Sequence, residues 1–177
     1  MKRRSRFGEI TGHDAAKYAL KHFLPALASM AVVLPAIAAE LQVPYPTGYR
    51  DWHHVKSMVI DKGHPLYEAF GGIHHLYANR KAMEGYRSGR FADGAVIVFD
   101  LLEAERSGNA LTEGGRKVVG VMHKDAKKFI ATGGWGFEGF GGGDKTNRVV
   151  RDNAASACFA CHEPQKGQDY VFSRLRD

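Results

Sequence analysis

Cysteine is scarce in this chain: the 177 residues hold only Cys158 and Cys161. Two thiols three positions apart cannot supply a disulfide framework, and they fall short of a four-ligand zinc site. A βαβ pattern around them is lacking as well, which argues against a thioredoxin-like redox pair. The mature part has no polybasic block and no basic-aromatic interleaving. The formal charge of +6 drops to +2 once residues 1–39 are set aside, because that stretch carries Lys2, Arg3, Arg4, Arg6, Lys17 and Lys21 against two acids. No nucleic-acid partner is therefore expected. Long helical periodicity is missing from the middle of the chain, and no internal repeat is found.

What is present around the two cysteines is specific. Cys158-Phe159-Ala160-Cys161-His162 is a C-x-x-C-H motif, the attachment signature of c-type haem. On a helix, positions 158, 161 and 162 share a face. Two thioethers can then hold the porphyrin edge while the His162 imidazole reaches the iron. One covalent haem c uses both cysteines, so no structural disulfide is expected. His162 is the expected metal ligand.

The beginning of the chain reads as an export signal. After the basic stretch comes Phe23 to Ala39, an apolar run of 17 residues interrupted by Pro25 and Pro35, with Ala36-Ile37-Ala38 as a small-x-small cleavage site. It is short and broken for a spanning helix, although an uncleaved anchor is the alternative. Arg3-Arg4 resembles the start of a twin-arginine signal that nothing afterwards completes. The expectation is a signal peptide over 1–39, a single haem domain over 40–177, and a periplasmic location.

Within that domain the pattern is more β than α. Ala95 to Leu102 is a nearly continuous apolar, β-branched run after the turn Ala92-Asp93-Gly94 and reads as a central strand. Lys117 to His123 and Gly72 to Ala78 read as two more. Tyr49 to Ile60 suits a helix or a strand. Short helices are expected over Lys81 to Ser88 and Asp125 to Ile130, with Asp152 or Asn153 capping the helix that carries the haem motif. Ala131 to Thr146 can be strand, loop or both. The fold class is α+β: a single domain rich in antiparallel sheet, with short peripheral helices and a C-terminal haem-attachment helix.

Two phosphate-binding look-alikes fail on their context. Gly134 to Gly139 matches G-x-G-x-x-G, but bulky aromatics fill it and no βαβ unit follows; Gly141 to Thr146 has Asp144 where a P-loop needs glycine. Trp135, Phe137 and Phe140 suit core or haem packing instead. Electron-transfer cytochromes usually place a methionine ligand downstream of the motif, and none follows His162. Cytochromes c′ would need four long helices.

The polar candidates for a distal role are His74 or His75, as base or second ligand, with Asp100, Glu103 and Glu138 as proton acceptors. His53-His54 and His74-His75 are adjacent pairs, and in a strand only one of each can face a pocket. Phe70, Phe99 and Phe137 can cap an open iron face. A filled sixth position would need Met58, Met83, Met122 or a histidine.

Tyr49-Arg50-Asp51-Trp52, Arg90-Phe91-Ala92-Asp93-Gly94, Trp135-Gly136-Phe137, the haem motif, and Tyr170-Val171-Phe172-Ser173-Arg174 follow one another in an order that resembles the cytochrome P-460 and cytochrome c′-beta family. The resemblance implies a β-rich homodimeric periplasmic protein with one five-coordinate haem per subunit, whose open face takes nitric oxide, another diatomic gas or hydroxylamine. In the hydroxylamine-oxidising members, a lysine just before the F-x-D-G turn is bonded to the haem edge. Here that window, Gly85 to Arg90, has no lysine, and Lys81 is the nearest. A gas-binding role is thereby favoured over hydroxylamine or nitric oxide oxidation, with electron transfer to an unknown redox partner as the further alternative.

Overall fold

Five strands pair in chain order into one antiparallel meander. They are β1 (His53–Ile60), β2 (Gly72–Ala78), β3 (Val96–Ser107), β4 (Ala110–Lys124) and β5 (Trp135–Gly141). Two short helices, α1 (Tyr67–Phe70) and α2 (Arg80–Ser88), flank β2. A C-terminal helical segment runs through a 3-10 turn (Arg151–Asn153), a π turn (Ala155–Phe159), an α turn (Ala160–His162) and a second 3-10 stretch (Glu163–Gln168). This computed structural model describes residues 42–176. The expected signal peptide and its cleavage site lie outside the described residues.

The register explains why β3 is apolar almost without a break. Ala78, Ile97, Met122 and Phe137 form one row across β2 to β5, Leu76, Phe99, Gly120 and Gly139 the next, and His74, Leu101, Val118 and Gly141 the third. All three rows lie on one face, because same-face residues alternate along a strand. The intervening rows, among them Tyr77, Val98, Val121 and Glu138, lie on the other. A core cluster forms on each face. Ala78, Ile97, Phe137, Trp135 and Phe91 build the first with α2. Val98, Val121, Val119, Phe140, Val43 and Tyr49 build the second. Sheets covered on both faces read as continuous hydrophobic runs.

Local chemistry sets the ends of these elements. Asn79 caps α2, its Oδ1 accepting from the Ala82 N–H at 2.9 Å and the Val96 N–H at 3.1 Å. That single side chain ties the helix to the start of β3 and contributes about 1 kcal/mol as a cap. Helix α2 then ends at Gly89, whose φ is 76°.

Four expectations change. Tyr49 to Ile60, open between helix and strand, is a 3-10 turn (Tyr49–Asp51) followed by strand β1. Asp125 to Ile130 is not a helix: Asp125 Oδ1 accepts from the Lys127 and Lys128 N–H groups, closing a local turn, and only Ile130–Thr132 is helical, as 3-10. Neither Asp152 nor Asn153 caps the motif helix. Its start is held by Glu138, which accepts from the Val150 and Arg151 N–H groups at 2.9 and 3.3 Å. The β3–β4 hairpin also runs well past the expected strands, turning at Gly108-Asn109 with Gly108 at φ 59°.

Candidate functional site

His162 ends the α turn, half-buried between two aromatic rings. Phe137 of β5 lies 5.0 Å from the imidazole, centroid to centroid, and Phe172 lies 4.9 Å away. Its Nδ1 pairs with the Tyr170 carbonyl oxygen at 2.8 Å. With a carbonyl as partner, Nδ1 must carry the proton, so Nε2 presents a lone pair. Burial also holds the imidazole pKa below its ordinary value, with the carbonyl opposing that shift. The ring is therefore neutral at neutral pH, the form that ligates a metal.

Cys158 packs against the first core cluster, whereas Cys161 is exposed. Burial, reinforced by the negative Glu138, pushes the Cys158 thiol up to about 11. A thiol so poised is not the reactive thiolate of a redox pair. The motif opens with a π turn at Ala155–Phe159, a rare geometry concentrated at functional sites.

The Tyr170 carbonyl is aimed by an unusual corner. Asp169 and Tyr170 both adopt left-handed backbone, at φ 51° and 65°. Each such non-glycine residue costs roughly 1 kcal/mol, so surrounding contacts must over-determine the turn. They do. Trp135, fully buried at 0% exposure, donates its indole N–H to the Asp169 carbonyl at 2.8 Å. The Asp169 carboxylate accepts from Lys124 Nζ at 2.7 Å and from the Phe91 N–H at 2.9 Å. Gly133 lies against the Tyr170 ring so closely that a Cβ there would meet a ring carbon at 2.4 Å.

Beyond the row containing Phe137, the same sheet face continues as an apolar strip. Leu76 and Phe99 stay half-buried on it, as Met122 does beside Phe137, and Gly120 adds no side chain. Phe99 stacks at 4.6 Å on His74 and meets Phe70 edge-on at 5.8 Å, with Phe70 39% exposed. His74 is 3% exposed, its Nδ1 has no hydrogen-bond partner, and burial lowers its pKa to about 4. The distance from the Phe137 row to the His74 row is about 13 Å, four strand residues.

The remaining candidates fall elsewhere. His75 is on the opposite face, bonded to Ser57 Oγ at 2.5 Å and Glu113 Oε1 at 2.6 Å. Asp100, on that face too, takes Tyr49 Oη at 2.7 Å and Arg116 Nε at 2.6 Å. Glu138 binds Arg148 Nη1 at 3.0 Å besides the backbone it clamps. Both carboxylates are structural anchors in this arrangement rather than free acceptors. Glu103 is exposed, within 3.7 Å of Lys117. His53 is exposed and His54 reaches Ser57 Oγ at 2.9 Å. Met83, on α2, is buried in the first cluster, Met58 is half-exposed on β1, and Met122 borders the first cluster. Lys81 Nζ is engaged by the Asp93 carbonyl at 2.8 Å.

A model of the family Cytochrome P460 matches residues 46–173. The chain belongs to the cytochrome P460 family. No curated protein matches the chain. Membership implies a haem cofactor and the binding of small nitrogen ligands. The residues fit that group: a neutral imidazole with a bare Nε2, cysteines at thioether spacing beside it, a half-buried apolar strip on the adjoining face, and a buried histidine nitrogen lacking a partner. Among the described residues, no three His, Cys, Asp or Glu side chains gather to hold a bare metal ion.

The sequence did not point to Lys124 or Asp169, and Tyr170 entered it only as a landmark of the family resemblance. A lysine closing an apolar strand, as Lys124 does after Val118 to His123, was the available sign, since a buried ammonium needs a partner. Gln168-Asp169 carried a weaker one, because aspartate tolerates left-handed backbone.

Proposed function

We propose that the protein is an exported monohaem cytochrome, functioning as a homodimer, whose haem is bonded through Cys158 and Cys161 and held at the iron by His162. Its open distal side binds nitric oxide or a related small nitrogen species. The observation that carries this reading is the Nδ1 pairing of His162 with the Tyr170 carbonyl, which leaves Nε2 as a fixed, neutral donor. When bound, the haem supplies an iron with one free coordination position for a diatomic ligand.

The chain's own residues account for the rest. Phe137 and Phe172 confine the His162 ring on both sides. Phe99 and Phe70 offer apolar surface that keeps water from a small ligand. His74, uncharged at neutral pH, can hydrogen-bond that ligand through its free Nδ1 without bringing a charge into the pocket. Lys81 donates its ammonium to the Asp93 carbonyl, and this engagement speaks against the cross-linked hydroxylamine-oxidising chemistry.

Acid-acetone extraction should leave the haem on the polypeptide, and His162→Gly should lose the native Soret position. The ferrous protein should bind carbon monoxide, and its intact mass should equal apoprotein plus one haem. Freely extractable haem overturns the attachment. A refusal of carbon monoxide overturns the open site and moves electron transfer to first place, with Met83 in the cluster that Cys158 packs on and Met122 against it as the candidate ligands. A peptide map with Lys81 bonded to the porphyrin would restore hydroxylamine oxidation.

A further inference from the structure

Lys124 lies at the end of β4 and Asp169 in the C-terminal corner, both outside the C-x-x-C-H motif, and their side chains form an ion pair at 2.7 Å, with Lys124 buried and Asp169 half-buried. A buried pair is a poor device for stability alone, because well-packed apolar residues of similar volume often do as well or better. What it supplies is direction. Lys124 Nζ also donates to the Gly133 carbonyl at 3.1 Å and sits 5.0 Å over the Trp135 ring. Asp169 spends its second oxygen on the Phe91 N–H and its carbonyl on the Trp135 indole. The Tyr170 N–H is fixed in turn by the Gln165 carbonyl at 2.9 Å. One group of this corner remains for work outside it, the Tyr170 carbonyl, and it accepts from His162.

We propose that Lys124 and Asp169 are positioning residues for the proximal ligand: their ion pair locks the left-handed corner that presents the Tyr170 carbonyl to the His162 Nδ1–H. The inference rests on His162 being the iron ligand. A strong, well-aligned acceptor on Nδ1 makes the opposite nitrogen a better electron donor, so such partners tune a metal site almost as much as its ligands do. A loosened corner gives a weaker iron–histidine bond and an iron that is more easily reduced.

The test uses the holoprotein. Asp169→Asn keeps the shape of the side chain but removes its charge, Lys124→Met removes the partner, and Lys124→Arg retains a cation. The readouts are the iron–histidine stretching band of the ferrous protein by resonance Raman and the midpoint potential by spectroelectrochemistry. Both Asp169→Asn and Lys124→Met should lower the band frequency and move the potential positive, and Lys124→Arg should return at least part of each shift. Asp100→Asn, which breaks a buried pair on the opposite face, should destabilise the protein and leave both readouts in place. If the Lys124 variants melt earlier while band and potential stay at their wild-type values, the pair is merely structural and the inference is wrong. Should Asp169→Asn fail to fold, the Lys124→Met and Lys124→Arg comparison decides alone. A wild-type protein without any iron–histidine band overturns the open, His162-ligated iron on which the inference rests, and the inference with it. An intact wild-type band that no variant moves overturns only the inference.

Discussion

His74 shows how much one side chain's surroundings decide. It is a buried imidazole without a partner on Nδ1, and its pKa of about 4 lies well below the ordinary 6.5. Between these two values the unfolded chain takes up a proton that the folded chain refuses, so stability falls as pH drops from about 6.5 to 4 and levels off below. His74→Phe should flatten part of that slope, by on the order of 1–2 kcal/mol at pH 4, in denaturant titrations at several pH values. His123, also lowered by burial, should keep part of the remainder. A slope unchanged by the substitution would mean that His74 is solvated in solution. The choice between His74 and His75 could not be made from sequence, because alternation assigns neighbours to opposite faces without saying which face is which. The register separates the two, placing His74 in the row of Leu101 and Val118 and His75 opposite Asp100.

At the scale of elements, the glycine-rich stretch around β5 was ambiguous for a physical reason. Its glycines mark where other segments press on the backbone, not where the chain is loose. A Cβ on Gly136 would meet Phe129 at 2.4 Å and Val43 at 2.6 Å, and one on Gly133 would meet the Tyr170 ring. Such distances depend on residues far away in sequence, so no local pattern could reveal them, and β5 emerged as a buried strand only from the fold. By contrast, strands β2, β3 and β4 and helix α2 were legible, because alternation, β-branching and turn residues are local signals. The haem motif was legible because its chemistry lies within five residues. The corner at Asp169 was not, since its partners are Phe91, Lys124 and Trp135. Gly133→Ala should cost about 2–4 kcal/mol, combining a strained φ of 65° with overpacking against Tyr170. Thermal unfolding of that variant checks it, and a loss under about 1 kcal/mol would show that the ring moves aside freely.

The whole molecule divides its stability unevenly. The five-stranded sheet is packed on both faces, with Trp135, Phe140, Leu101, Val55, Val98 and Val119 the largest fully buried side chains. The segment that carries the haem motif has no fully buried residue anywhere from Arg151 to Gln168. It is held at its start by the Glu138 clamp and at its end by the Asp169 corner, while half-buried Cys158 and Phe159 lean on the first cluster. Regions with few buried apolar contacts open at a lower free energy than the core. Covalent haem would add the missing contacts, since it stays attached to the unfolded chain but packs against the segment only in the folded arrangement. The double substitution Cys158→Ser with Cys161→Ser should therefore leave the β-rich far-ultraviolet dichroism and slow amide exchange of β2 to β4 in place. Exchange across Ala155–His162 should accelerate by at least tenfold relative to the haem-bearing protein. Collapse of the sheet on loss of the cysteines would show instead that the haem is part of the central core. Equal protection of the segment with and without haem would show that its two clamps suffice.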